Sequence, residues 1–154
     1  MLIQQGDVLI ESCSEIPSGA KKVNPTAKGI VLAEGEVTGH SHRITVAEIE
    51  NVGGIKFLEK DGMYYLQNKK PVKVIHEEHS FRDTIRNFRS YNAIPEMYQD
   101  YITDVLGIEI NQFVPFQTFV KSLPSEIVVP AGIHRVRRVR EYDHFDNEAR
   151  EVAD

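Results

Sequence analysis

The sequence has little of several features that mark large classes of protein. Its 154 residues include a single cysteine, Cys13, so an intrachain disulfide and a zinc site built from several thiolates are both excluded. No stretch approaches the roughly 20 apolar residues that a membrane-spanning helix needs. The opening MLIQQGDVLIES also lacks the basic start and long apolar run of a signal peptide. We therefore expect no membrane partner and a location in the reducing cytoplasm.

Positive charge is in deficit as well. There are 18 Lys and Arg residues against 23 Asp and Glu, which gives a formal net charge of −5 at pH 7. An acidic chain has little electrostatic attraction for nucleic acid, so we do not expect a nucleic-acid partner. The P-loop, GxGxxG and GxSxG motifs are missing too, so the sequence shows no sign of a nucleotide-binding loop or of the nucleophile elbow of serine hydrolases.

The sequence does contain a series of short runs rich in branched and aromatic residues, separated by Gly, Pro and Asn. They predict strands at residues 7–11, 29–33, 44–50, 55–58, 63–66, 72–75, 126–129 and 133–142. Asp61 and Gly62 predict a tight hairpin turn. The length suits one domain. The pattern therefore predicts a single, mainly β domain over residues 1–154, built as a small barrel or a β-sandwich.

Residues 81–122 differ in composition and hold a large share of the Phe and Tyr residues. Pro95 is typical of a helix start and Gly107 of a helix end, with apolar residues at helical spacing between them. We therefore expect an insertion with at least one helix, packed on or beside the β-domain. Most of its aromatic side chains should lie in the core, and exposed ones would mark a surface for a partner or another copy of the chain.

Two histidine clusters are the strongest functional signal. His40 and His42 are two residues apart, so they lie on one face if the chain there is extended. His76 and His79 follow the predicted strand at 72–75. Three or four imidazoles suit a divalent transition metal, and the sequence does not choose among Zn, Fe, Mn, Ni and Cu. We predict that these four histidines bind one metal ion; the alternative is a polar hydrogen-bond network that ties strands together.

Four carboxylates lie close to the histidines in sequence. Glu78, between His76 and His79, and Glu48 are candidates for an extra metal ligand or a general base. Glu34 and Glu36 are candidates to accept hydrogen bonds from imidazole N–H groups, which metal-bound histidines usually have.

A run of arginines follows the Pro-Ala-Gly turn at 130–132. Such a run can bind a phosphate, a small carboxylate or an acidic protein surface, or it can be neutralised by the acidic tail or by Glu77 and Glu78. Apolar and charged residues are mixed on both faces of this segment, which is typical of an edge strand. The candidate anion-binding residues are Arg135, Arg137, Arg138 and Arg140.

The HSH motif after a glycine, followed much later by a Pro-x-Gly turn, resembles the motifs of the cupin family. The resemblance implies a small β-barrel in which His40, His42 and Glu48 belong to the first metal-binding motif and His134 to the second. Five residues separate His42 from Glu48, where the cupin pattern has three or four. His134 lies one residue closer to the glycine than the cupin pattern has it.

The stretches GEVTGHSHR, HEEH and PAG…REYD are more closely similar to an uncharacterised group of small bacterial and phage proteins. This resemblance implies a shared β-fold and shared histidine motifs, and it supplies no reaction. Relative to shorter members of the group, residues 81–122 are an insertion.

Two functions follow as hypotheses. The first is a metal-binding, cupin-like domain, which would be an enzyme acting on a small polar or anionic molecule if the metal keeps an open position. The second is a non-catalytic assembly or interaction protein, bacterial or phage-derived, whose histidines are structural. We expect a homo-oligomer; a monomer with bound metal would favour the first hypothesis, and a ring or large oligomer without metal would favour the second. The protein would be virion-associated if it is of phage origin.

Overall fold

The computed structural model describes residues 1–34, 41–77 and 80–139. The chain is mainly β, as the sequence predicts. Its strands are β1 (Leu2–Gln5), β2 (Val8–Ser12), β3 (Lys21–Lys22), β4 (Ile30–Glu34), β5 (Ser41–Ile44), β6 (Lys56–Lys60), β7 (Met63–Asn68), β8 (Val72–His76), β9 (Ile127–Val129) and β10 (Gly132–Arg138).

The described strands form two antiparallel sheets, and neither sheet closes on itself. One sheet has the order β1-β2-β10-β7-β6-β3, and the other has the order β4-β5-β8-β9. The predicted hairpin turn lies between β6 and β7, where Asp61 and Gly62 both have positive φ, 52° and 81°, as a tight two-residue hairpin turn requires. This arrangement supports the coarse fold prediction, whereas the cupin-like barrel stays a prediction.

The prediction that the arginine-rich segment is an edge strand is wrong. β10 lies inside the six-stranded sheet, hydrogen-bonded to β2 on one side and to β7 on the other. One of its faces buries His134 and Val136. On the other face Arg135 donates to the carboxylate of Glu11, its partner on β2. A strand with arginines can occupy an interior position here because the neighbouring strand neutralises their charge.

The strand predicted at residues 44–50 is also wrong. β5 ends at Ile44, and helix α1 (Val46–Val52) follows. The Thr45 hydroxyl caps this helix by accepting a hydrogen bond from the Glu48 backbone N–H at 3.1 Å. Thr-x-x-Glu is the sequence signature of such a helix start, and it outweighs the weak alternation of apolar residues in this segment.

The insertion carries most of the helical structure. Its helices are α2 (Phe81–Arg86), α3 (Glu96–Asp100) and α4 (Phe116–Ser122), with a 3₁₀ turn at Tyr91–Ala93 and a π-helical turn at Tyr101–Val105. Pro95 directly precedes α3, as its sequence position predicts. The Tyr98 hydroxyl donates to the Gln4 carbonyl at 2.9 Å, and the Tyr101 hydroxyl donates to the Val128 carbonyl at 2.6 Å. These bonds tie the insertion to β1 and β9.

Both sheets and the insertion contribute to one hydrophobic core. The first sheet contributes Ile10 of β2, the second sheet contributes Ile44 of β5, and the insertion contributes Ile102. Each of these side chains is at most 1% exposed. Phe113, in the loop before α4, is 97% exposed, in contrast to the other aromatic side chains of residues 81–122. No helix within the described ranges is long and apolar enough to cross a membrane.

Candidate functional site

Two of the four predicted metal ligands lie side by side in the structure. His42 on β5 and His76 on β8 are directly opposite each other in the antiparallel pair. Their ring centroids are 4.1 Å apart, and the ring planes are tilted by 44°. Opposite residues of an antiparallel pair point to the same face. The alternation with Ile44 on β5 and with Val72 and Val74 on β8, all buried, shows that this face is the core face.

His42 is completely buried, with 0% exposure, and it contacts the other sheet. Its Nε2 lies 3.1 Å from Oδ1 of Asp7, and its Nδ1 lies 3.4 Å from Oε1 of Gln5. Gln5 ends β1, and Asp7 lies in the turn to β2, where Gly6 has a φ of 58°. The positive φ suits glycine, and the turn places two polar side chains at the end of the core next to the histidine pair.

The Asp7 contact sets the proton position on a neutral His42. An ionised carboxylate only accepts hydrogen bonds, so on a neutral imidazole the proton resides on Nε2. The 3.4 Å contact from Nδ1 to Gln5 is long for a hydrogen bond. In a metal-bound histidine, one ring nitrogen coordinates the metal ion, and the N–H of the other usually donates a hydrogen bond to a carboxylate or a carbonyl.

Asp7 is itself held in its ionised form. Burial alone would raise the pKa of its carboxyl group. The hydrogen bond from Arg138, the charges of His42 and Arg138, and the hydrogen bond from His42 together outweigh burial and lower the pKa below its usual value. The Arg138 contact joins Nη2 to Oδ2 at 2.7 Å. Each Asp7 oxygen therefore has its own partner, one the imidazole and the other the guanidinium.

The described residues include only part of the predicted set of metal ligands. Within residues 1–34, 41–77 and 80–139 no group of three or more His, Cys, Asp or Glu side chains is arranged to hold a metal ion. His40, His79 and Glu78 lie outside these residues. The described part thus supplies two imidazoles in contact and a carboxylate that orients one of them, which fits a nitrogen-rich metal site.

Glu48 lies elsewhere. Its Oε2 accepts a hydrogen bond from the backbone N–H of Lys73 at 2.7 Å. Lys73 is three residues before His76 on β8, which is roughly 10 Å along an extended strand. The structure therefore does not bring Glu48 to the histidine pair, because helix α1 directs its carboxylate to the other end of β8. Glu36 lies outside the described residues.

The predicted anion-binding arginines divide between two faces of β10. Arg135 and Arg137 both contact the Glu11 carboxylate, with Nε to Oε1 distances of 2.7 and 3.5 Å. Arg138 alone of the described three reaches Asp7. Arg140 lies outside the described residues. Among the residues that the structure describes, Glu11 and Asp7 neutralise these arginines. Glu77, which the sequence suggested, pairs with Arg43.

His134 is buried without a comparable set of neighbours. Its Nε2 contacts the Pro130 carbonyl at 2.8 Å, so this nitrogen is the donor. Its Nδ1 has no hydrogen-bond partner among the residues that the structure describes. Burial lowers the pKa of His134 below its usual value, against the opposing effect of the Pro130 carbonyl. The carbonyl contact fixes the ring, and burial favours its neutral form.

Sequence reasoning missed Gln5 and Asp7 as members of the site. Their available signal was the polar Gln-Gly-Asp turn between two apolar strand segments, LI and VLI. A polar turn of this kind is ordinary in hairpins, so only the packing of the two sheets identifies these side chains as partners of His42.

Comparison with known proteins assigns a family. The chain belongs to the family described as a domain of unknown function (DUF8820), whose model matches residues 4–83. The matched residues include the histidine pair, Gln5 and Asp7, and they exclude Arg138. Searches of curated proteins and of solved structures find no match.

Proposed function

We propose that this protein is a metal-binding β-domain that holds one divalent transition metal ion, with His42 and His76 as two of the ligands. His40 and His79 complete the proposed set, and Glu78 is a candidate extra ligand. The observation that carries the proposal is the contact between the two imidazoles at 4.1 Å, with Asp7 orienting one of them.

The electrostatics of the pair are compatible with a metal ion. Two imidazoles face each other at this distance, and two imidazolium ions there would repel each other. A neutral imidazole is the form that binds a metal, and it avoids this repulsion. Asp7 is ionised and gives the Nε2–H of His42 a fixed partner. A cupin-like relationship would account for the sequence motif of His40 and His42.

The proposed chemistry is limited to what such an ion supplies. A bound divalent ion acts as a Lewis acid or activates a water molecule, and an open coordination position would make the domain an enzyme acting on a small polar or anionic molecule. Within this cluster, Asp7 would hold the His42 proton on Nε2 throughout, and the burial of His42 would keep bulk water away from that nitrogen.

Metal content of protein purified without a histidine tag tests the proposal. After incubation with Zn²⁺ and desalting, mass spectrometry of the wild-type chain should find about one equivalent of zinc, and His42→Gln or His76→Ala should retain less than about one-tenth of an equivalent. His134→Gln is the matched control, since it removes another strand histidine that contacts only a carbonyl in the described structure. A wild-type chain that retains no zinc, nickel, copper, iron or manganese contradicts the proposal.

The second candidate function is the non-catalytic assembly or interaction protein, and Phe113 favours it. A phenylalanine that is 97% exposed is the kind of side chain that anchors an interface. A homo-oligomer that contacts through this loop should become monomeric in Phe113→Ser, and light scattering measures that change. A wild-type chain that is monomeric at every concentration argues against self-assembly.

A further inference from the structure

Arg138 differs from the other arginines of β10 in the face it occupies. It shares the core-side face with His134 and Val136, because side chains alternate along a strand. Arg135 and Arg137 lie on the opposite face with Glu11. At the end of the strand the Arg138 side chain is 41% exposed. Its guanidinium thus reaches solvent at the same end of the core as the histidine pair.

Asp7 couples Arg138 to the histidines through its two oxygens. Oδ2 accepts from Nη2 of Arg138 at 2.7 Å, and Oδ1 lies 3.1 Å from Nε2 of His42. The guanidinium has five N–H donors in a planar fork. Among the described residues it donates only to Asp7, and only through Nη2. A fixed fork with unused donors is suited to a planar or tetrahedral oxyanion.

The charges of the cluster point the same way. Asp7 and Arg138 form an ion pair and neutralise each other. A divalent ion on the histidines would therefore bring a positive charge that these four residues do not compensate. A bound metal is often the largest local charge in a site, and an anionic ligand would balance it.

We propose that the ligand of this site is a small oxyanion, a molecule with a carboxylate or phosphate group, which Arg138 binds while Asp7 positions the guanidinium beside the histidines. The charge argument rests on the metal binding proposed above, whereas the geometric argument does not. The proposal assigns to Arg138 alone, among the described arginines, the anion-binding role that sequence suggested for the whole run.

Calorimetric titration with malonate and with inorganic phosphate tests this inference, with the neutral malonamide as the uncharged analogue. Zinc-loaded wild-type protein should bind at least one of the two anions and should not bind malonamide. Arg138→Gln should weaken that binding by about tenfold or more, because it removes a charged, forked donor. Arg135→Gln is the matched control: it removes an equal charge from the opposite face and should leave anion binding within about threefold of wild type.

The preference between malonate and phosphate identifies the ligand class. Should Arg138→Gln fail to fold, Arg138→Lys retains the charge without the fork and should still lose most of the affinity. Equal binding by wild type and both Arg138 variants, or no anion binding by the wild type, overturns the inference.

Metal content measured on the same samples separates this inference from the proposed function. Bound zinc without Arg138-dependent anion binding overturns only the oxyanion ligand. Arg138-dependent anion binding by a chain that retains no metal overturns the metal proposal and leaves the oxyanion site standing on its geometry. A wild-type chain that neither retains metal nor binds an anion overturns both proposals.

Discussion

His42 and His134 are both almost completely buried in strands, at 0% and 1% exposure, yet their surroundings differ. His42 contacts a second imidazole, a carboxylate and an amide contributed by two other segments of the chain, residues 5–7 and β8. His134 gives its Nε2 proton to the carbonyl of Pro130, four residues earlier. The turn that precedes His134 is enough to explain its hydrogen bond. The contacts of His42 cannot be explained in this way, because its partners are distant in sequence.

The two histidines differ in one property that is relevant to chemistry, the presence of a carboxylate partner. Burial disfavours the charged ring at either position, so burial alone does not distinguish them. The difference lies in Asp7, which is ionised, oriented by Arg138 and directed at one nitrogen of His42. The predictions below test whether this difference is functional.

Removing the metal should produce the largest difference in thermal stability between the variants of the two histidines. A ligand that binds only the folded state at 1,000 times its dissociation constant stabilises by about 4 kcal/mol, which for a chain of this size corresponds to a rise in Tm of about 8–16 °C. We expect zinc to raise, and a chelator to lower, the Tm of the wild type and of His134→Gln by a similar amount. His76→Ala should show no zinc-dependent change by calorimetry. An equal zinc response in His76→Ala would remove the functional distinction between the two histidines.

Asp7→Asn should have the next largest effect. The amide has nearly the shape of the carboxylate but lacks its charge, and loss of a carboxylate partner to a metal-bound histidine costs roughly 10–100-fold in metal affinity. Competition with a chromogenic chelator measures this affinity. Glu11→Gln is the control, because it neutralises a carboxylate that contacts Arg135 and Arg137 instead of a histidine. Similar affinities in the two variants would show that Asp7 acts only through general charge.

In metal-free protein, the pH dependence of stability should show the effect of burying His134. Its pKa is lowered in the folded state, so the unfolded chain binds the proton more readily and protonation favours unfolding. Stability should therefore decrease as the pH falls below about 6.5, the ordinary histidine value. Urea midpoints measured between pH 8 and pH 5 in chelator should show a smaller acid loss for His134→Gln than for wild type. Parallel pH profiles would show that burial of His134 has no thermodynamic consequence.

Gln5→Met should have the smallest effect. The Gln5 contact to His42 is long, at 3.4 Å, and a neutral contact of this kind contributes little. We expect zinc affinity to change less than about threefold, against the larger loss in Asp7→Asn. A loss as large as that of Asp7→Asn would show that the amide, rather than the carboxylate, sets the state of His42.

Local patterns located most of the strands and the start of α3. The run VKVI predicted β8 because branched residues alternate there, and Pro95 predicted the helix that follows it. The errors have equally local causes. Thr45 and Glu48 form a helix start that the apolar alternation at 44–50 obscured. The arginines of β10 suggested an edge strand because their counter-charge, Glu11, lies over 120 residues away.

The sequence alone establishes that this chain is mainly β, that it has one thiol, and that four of its six histidines fall into two short motifs. Only the tertiary structure decided that His42 of one motif lies against His76 of the other, that Asp7 directs its carboxylate at His42, and that Arg138 alone of the described arginines joins them. The reason is physical: periodicity within a strand fixes which residues share a face. Which faces and strand ends meet depends on sheet pairing and on the packing of one sheet against the other, and neither is encoded in any short stretch of residues.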